Sequence, residues 1–451
     1  MRRFYILSAT WFYIGLVALT GAWASPSSPL SRREAVRRAV QQHPRVEAAD
    51  RRLEASQARI DQARAGFWPQ FFFSERFSAT TNPLWAFGTR LNQERIAQRD
   101  FDPDRLNAPR RVDNFATVLS ARWSLYDSGQ TRYGVRQARQ DVVVAEQMGR
   151  RARHQAMAAA AAAYDGWLLA LAMEKAVEQA RALSGAHLEM IAERLEAGFV
   201  VKSDLLRAQV RQAELDQRRL AAASQAAIAA THLNAAMGEA PEAVFVPADT
   251  LNPGPELDRS VADWVAAALS ARPEMGAMAG REAMARAETD RRRAARHPSL
   301  NLFGDYEIHS ERFADSGEGY TVGAMLEWNL FAGGRDAART REARAFLGEI
   351  HAQRRELETG IRVEIRQACL EADSAWRRIA VAAAAAAQAE ENLAIVSRRY
   401  RNGLLTVVHL LDAETALEQA RLQRLQAVHD YRAARVRLRL AAGSVEDLIQ
   451  D

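Results

Sequence analysis

Trp123-Ser-Leu-Tyr-Asp-Ser-Gly129 and Trp328-Asn-Leu-Phe-Ala-Gly-Gly334 lie 205 residues apart and share one pattern, Trp-x-Leu-aromatic-x-x-Gly. The same offset carries Arg194 and Gly198 onto Arg399 and Gly403, Leu205-Leu206 onto Leu410-Leu411, and Met237-Gly238 onto Ala442-Gly443. Upstream the offset is 229, from Ser31, Pro44 and Pro69 to Ser260, Pro273 and Pro298. Agreement at one spacing over more than a hundred residues marks an internal duplication. The change from 229 to 205 places a 24-residue excess in the first half, between about residues 80 and 115. The chain therefore divides into a leader (1–24), a first repeat (25–240), a Pro-rich connector (241–259), a second repeat (260–443) and a tail (444–451).

Each repeat reads helix, strand, loop, strand, very long helix, turn, long helix. No proline falls between Arg110 and Ala240, or between Ser299 and Asp451, and both stretches are rich in Ala, Leu, Arg, Glu and Gln, which favour helix. Long helices are expected at about 131–197 and 203–237, and again at 336–402 and 407–442. The first would reach about 100 Å at 1.5 Å per residue. Leu410, Ala413, Leu417, Ala420, Arg424, Ala427, Tyr431, Ala434, Leu438 and Ala441 alternate spacings of three and four. Leu205, Ala208, Gln212, Leu215, Arg219 and Ala222 begin the matching seam of the first repeat. A seam this long with Ala at every second position favours close coiled-coil packing over an ordinary amphipathic bundle. Strands are expected at about 67–80, 115–126, 299–310 and 320–331, where apolar and polar residues alternate. The apolar sets are Phe71, Phe73, Phe77; Leu119, Ala121, Trp123; Leu300, Leu302, Tyr306, Ile308; and Val322, Ala324, Leu326. Phe72 and Glu75 interrupt the pattern. Alternation of this length fits membrane-barrel strands and equally a soluble sheet with one buried face. Four strands cannot close a barrel alone.

Of 451 residues, 48% are hydrophobic and 26% charged, enough apolar material for a core and too much for a disordered chain. Removing Arg2 and Arg3 of the leader from the 61 basic residues leaves 59 against 56 acidic ones. That balance does not describe a nucleic-acid binder. A single cysteine, Cys369, excludes an internal disulfide. Arg2-Arg3, the apolar run Phe4 to Leu19 and Ala22-Trp23-Ala24 form a secretory signal peptide, with an uncleaved anchor as the alternative. Ser25 follows the cleavage position, so a lipid-anchored end is not expected. The Ala-rich runs 156–163 and 380–387 are closely flanked by charge and read as tightly packed helices, so entry into a membrane after export requires a β-barrel.

An exported, duplicated chain with two strand pairs, very long helices and Gly-marked turns at Ala197-Gly198 and Asn402-Gly403 resembles the TolC family of outer-membrane efflux and secretion channels. The stretches 123–129, 328–334 and 399–413 carry the resemblance most specifically, and it extends from about Ser31 to Gly443. It implies a mainly α fold with a small β part. Four strands per chain in a homotrimer make a membrane β-barrel, and the helices make a coiled-coil tunnel across the periplasm. It implies a passive duct with no enzymatic activity and no cofactor. The implied partners are a periplasmic adaptor (membrane fusion) protein, an inner-membrane transporter and outer-membrane lipid. The 24-residue excess looks like an enlarged outer loop. The resemblance also implies functional positions. Gly198 and Gly403 would form the adaptor-facing tip, where they also serve as helix caps. Asp204 and Tyr400 would hold the closed tip by an interhelical hydrogen bond, although Asp204 also suits a helix N-terminus. Asp412 would contribute to a ring of carboxylates that raise one another's pKa and attract cations. His409 stands where a second ring carboxylate is expected, and so makes the constriction pH-sensitive or simply faces solvent.

No two of the nine His lie within four positions of each other, and phosphate loops and nucleophile elbows are absent. A soluble periplasmic coiled-coil adaptor or spacer is the rival reading. It explains the leader and seams but not four barrel-like strands at matching points of the duplication.

Overall fold

The computed structural model describes residues 29–257, 259–312 and 316–449. The leader assigned to 1–24 and the last two residues of the tail lie outside the described residues.

The first repeat contains α1 (Arg32–Gln42), α2 (Pro44–Arg64), β1 (Gln70–Thr80), β2 (Val112–Tyr126), α5 (Gln130–Glu196) and α6 (Lys202–Met237). Between its strands lie α3 (Pro83–Asn92) and α4 (Pro103–Asn107), which fill the 24-residue excess. The second repeat contains α7 (Val261–Ala271), α8 (Pro273–Ala294), β3 (Ser299–Ser310), β4 (Ser316–Glu327), α9 (Arg335–Arg401) and α10 (Val407–Ala442). Both long helices have 67 residues and both returning helices 36, at an offset of 205 throughout. The caps repeat as well. Ser31 and Ser260 each accept a hydrogen bond from the backbone N–H three residues on, which satisfies an amide the helix leaves unpaired. Gly129 and Gly334, both at positive φ, precede the long helices.

The four strands form one antiparallel sheet in the order β1-β2-β3-β4. Its register settles which side chains share a face. Phe73, Leu119, Tyr306 and Tyr320 lie opposite one another in a row, as do Phe71, Ala121, Gly304 and Val322. Because side chains alternate with a period of two, the apolar sets of all four strands fall on one face. Glu75 and Glu318 share that face but are partnered. Thr117 donates to Glu75 at 2.5 Å, and the Tyr306 hydroxyl donates to Glu318 at 2.6 Å. The other face is mainly polar and carries Gln70, Arg122, Ser120, Asp305, Thr321, Glu307 and His309, with Phe72, Val118, Phe303 and Met325 among its apolar exceptions.

Four strand bounds differ from the sequence expectation. β2 starts at Val112 and β4 at Ser316, earlier than expected, because each pairs to the end of its neighbour, Val112 with Thr80 and Ser316 with Ser310. β1 starts at Gln70 because residues 65–67 form a 3-10 turn and Pro69 has no N–H to donate. β4 ends at Glu327, which pairs with Ser299, the first residue of β3; beyond it no partner remains. The indoles nonetheless repeat their contacts. Trp123 donates to the Phe67 carbonyl at 2.9 Å and Trp328 to the Arg296 carbonyl at 3.1 Å.

The core is distributed along the helices. In the first repeat the Ala run is buried under α1, where Ala156, Ala158, Ala160 and Ala161 pack with Val36, Ala39, Val46 and Val436. The Ala run of the second repeat, 380–387, is not the counterpart of 156–163 at the offset of 205; of it only Ala386 is buried, and Val381 is exposed. The seam of α10 is buried from Leu410 to Ala441 except at Arg424, and Arg219, its counterpart in α6, is also exposed. A guanidinium cannot enter a seam built for Ala-sized side chains without losing its hydration. Midway along the helices, fully buried Asp165 of α5 accepts from Arg432 of α10 at 2.9 Å and from Arg32 at 3.4 Å, which joins the two repeats.

Candidate functional site

The two helical hairpins end together, at Gly198 and Gly403, remote from the sheet. Gly198 has φ +76° and Gly403 φ +74°, a left-handed conformation that a Cβ disfavours. In each turn the glycine N–H donates three residues back and the next N–H five residues back: Gly198 to Leu195 and Phe199 to Arg194, then Gly403 to Tyr400 and Leu404 to Arg399. Both turns are thus Schellman caps that satisfy the last carbonyls of a 67-residue helix.

Arg194 joins the two tips. Its Nη1 donates to the Tyr400 carbonyl at 2.6 Å and to the Arg401 carbonyl at 3.1 Å. The guanidinium also lies 5.1 Å from the centre of the Tyr400 ring. A cation at the C-terminus of α9 opposes the negative end of that helix's dipole while it stacks on the ring. The Tyr400 side chain is 2% exposed and packs with Ile191, Ala208, Leu393, Val407 and Leu410. Its hydroxyl has no hydrogen-bond partner among the described residues. Burial raises the phenol pKa above its ordinary value; the Arg194 charge opposes this and the Asp204 charge adds to it. Asp204 is therefore near Tyr400 and acts on it through charge, without a hydrogen bond among the described residues. His409 and Asp412 lie one turn apart on the exposed side of α10. His409 Nδ1 is 2.9 Å from the hydroxyl of Thr406, the residue that precedes the helix.

Farther from the tip, α10 carries a buried ionic layer that the seam pattern does not signal. Glu414 pairs with His187 of α5. Glu418, its side chain 1% exposed, receives Arg218 at 2.7 Å and also Arg211, both from α6. Glu414 and Glu418 sit beside the seam residues Ala413 and Leu417, where charge is expected to face solvent. Only the helices packed across them reveal their burial. Arg194 is visible in the sequence as one half of the Arg194–Arg399 repeat pair, but nothing in the pattern assigns it a contact.

Residues 35–239 and 264–444 match the family described as outer membrane efflux protein. Alkaline protease secretion protein AprF of Pseudomonas aeruginosa is 24% identical over 435 residues, covering 91% of this chain and 83% of that protein. Two solved structures share the fold. The outer membrane protein VceC of Vibrio cholerae superposes with a TM-score of 0.73 at 20% identity, over 91% of this chain and 96% of its own. The CmeC outer membrane channel of Campylobacter jejuni gives a TM-score of 0.74 at 16% identity, over 98% and 94%. With the family match extending across both repeats, the chain belongs to the outer membrane efflux protein family.

Proposed function

We propose that three copies of this chain close a twelve-stranded barrel in the outer membrane and a helical tunnel in the periplasm, as the passive exit duct of a tripartite efflux pump or a type I secretion system. The one-sided sheet carries this reading. Its apolar face suits lipid, its polar face suits a water-filled lumen, and β1 and β4 each leave one edge unpaired among the described residues. Joining β4 of one copy to β1 of the next satisfies every edge. Exposed Phe346, Val363, Leu370 and Val381 of α9 supply apolar surface for neighbouring helices. Similarity to a protease secretion protein favours a polypeptide cargo. An adaptor engages the tip turns at Gly198 and Gly403, and an inner-membrane transporter supplies the energy. Export removes residues 1–24, so that the mature chain begins at Ser25.

The mass of the detergent-extracted, membrane-derived protein tests the assembly: a trimer is expected, and a monomer that needs no detergent would overturn it. At the tip, Asp204 and Tyr400 help to hold the closed state, while Asp412 and His409 set the charge at the constriction. The Tyr400→Phe, Asp204→Ala double variant is expected to raise single-channel conductance. Unchanged conductance would remove both residues from the latch.

A further inference from the structure

The first outer connection, residues 81–111, folds back over the sheet. On β2, Val112, Asn114 and Ala116 are buried, whereas Val118 and Ser120 of the same face are half-buried and Arg122 is exposed. Side chains alternate along a strand, so the cover lies on the mainly polar face and over its outer end alone. Gln93, buried after α3, donates to the Asp113 carbonyl at 2.8 Å and to Asn114 Oδ1 at 2.9 Å. Asn114 Nδ2 is in turn 3.0 Å from His309 Nδ1 on β3. Arg95 pairs with Glu311, the residue after β3. The carbonyl of Asn92 lies where a Cβ on Gly317 would sit, so the end of α3 rests on the start of β4. A connection that begins between β1 and β2 thus crosses β3 and reaches β4, whose outer edge the next copy joins in the barrel.

The opposite side of α3 is apolar. Leu84 and Leu91, seven residues apart, fall opposite buried Ala86 around the helix, with Trp85 beside them. They are 77%, 57% and 68% exposed, in the order Leu84, Leu91, Trp85. In the barrel this side looks into the water-filled lumen, where no acyl chain reaches it and an open apolar stripe is unfavourable. The dimensions of the lumen decide what covers it. Twelve strands about 4.8 Å apart and tilted by about 40° close a ring about 24 Å across, backbone to backbone. Three helices about 10 Å thick, packed around one axis, need a circle about 22 Å across. Side chains of the wall take up the remainder. Three copies of α3 therefore meet, and the surface offered to the stripe of one copy is the same stripe on the other two.

We propose that the 81–111 segments of three copies join on the three-fold axis through Leu84, Trp85 and Leu91 and plug the outer end of the lumen. The plug is a second barrier in series with the periplasmic tip, and cargo leaves only when the three segments part. The proposal rests on the barrel reading above, which makes the polar face the lumen wall.

The test uses the full chain in cells, with Cys369→Ser as the background so that each added cysteine is the only thiol. Leu84→Cys and Leu91→Cys are each placed in that background, and membranes are treated with a mild oxidant. Cross-linked dimers are expected on a denaturing gel, from protein that still extracts as a trimer. In a separate arm, Thr321→Cys puts a thiol on the exposed polar face deeper in the barrel. A thiol reagent carrying a bulky polymer, added to whole cells, is expected to leave this cysteine unlabelled. Labelling should appear when residues 82–110 are replaced by a short Gly-Ser loop, and also in the Leu84→Ser, Trp85→Ser, Leu91→Ser variant. No cross-link at either position in an intact trimer overturns the proposal, because the segments then stay apart against the wall. Equal labelling with and without the segment overturns it as well. If the Cys369→Ser protein is a soluble monomer, the barrel fails and the plug with it.

Discussion

Arg194 does with one side chain what a longer interface would otherwise do, because its two acceptors are carbonyls in the last turn of the other hairpin. Charge-assisted hydrogen bonds of this kind contribute about 1.5–3 kcal/mol. Arg194→Ala should therefore loosen the tip and raise single-channel conductance, and Arg194→Lys should restore part of the closure, since an ammonium keeps the charge but not the fork. Conductance unchanged in the Ala variant would place the latch elsewhere. A second residue, His154 of α5, is buried, and its pKa is lowered first by that burial; Arg150 adds to the shift, and Glu446 and Glu274 oppose it. The unfolded chain then binds a proton more readily than the folded one. Stability contributed by neutral His154 is fully present above the ordinary value of 6.5 and is lost as pH falls below it. Thermal unfolding at pH 5 and pH 7.5 should differ less in His154→Gln than in the parent; an equal difference would rule out this residue as a source of the acid sensitivity. At this scale the sequence is least informative. The resemblance placed Asp204 beside Tyr400, but no periodicity distinguishes buried Glu418 from exposed Glu390, since both lie on amphipathic helices and differ only in what packs against them.

Among the elements, the tip turns and the sheet were the most legible. A Gly 205 residues from another Gly, each after a Pro-free stretch, specifies a chain reversal because only glycine adopts φ near +75° without a steric cost. Gly198→Ala and Gly403→Ala are each expected to destabilise their turn by about 1–2 kcal/mol. No atom lies within 4 Å of a Cβ built on Gly198, so the cost there is conformational alone. Faster amide exchange at Phe199 and Leu404 would report it, and unaltered exchange would show that the turn tolerates a side chain. The strand faces were readable because a period of two survives the interruptions at Phe72 and Glu75 in the first strand. Their ends were not, since a strand stops where its partner does, and Glu327 ends β4 only because β3 begins at Ser299. Helices α3 and α4 escaped notice for a related reason: at 10 and 5 residues they are too short to establish a period and depend on Asn82, Asp102 and the prolines that follow them.

The offset of 205 makes the whole molecule a pair of near-equivalent hairpins, so a ring of three copies is a ring of six. Within one chain, Arg194 of the first hairpin grips the second. Arg399, its counterpart, is exposed and has no such grip on the first hairpin of its own chain among the described residues. In the proposed ring the repeat would turn it toward the first hairpin of the next copy, where Leu195 and Glu196 are the positions equivalent to Tyr400 and Arg401. Arg399→Ala should weaken the trimer at its tip, seen as a lower temperature of dissociation to monomers in detergent, while the fold of the single chain is unchanged. An unaltered dissociation temperature would show that the two kinds of boundary are held differently.

The open edges of the sheet also bear on how such a molecule comes into being. Each long helix makes its hydrogen bonds within itself and meets its return helix across a turn of a few residues, so hairpin formation is local and independent of how much protein is present. Closure of the strands is neither. Until three chains meet, each exposes two bare edges and an apolar face, a template for wrong pairing. Biogenesis should accordingly divide into a fast unimolecular stage and a slower one that depends on chain concentration and on a lipid surface to receive it.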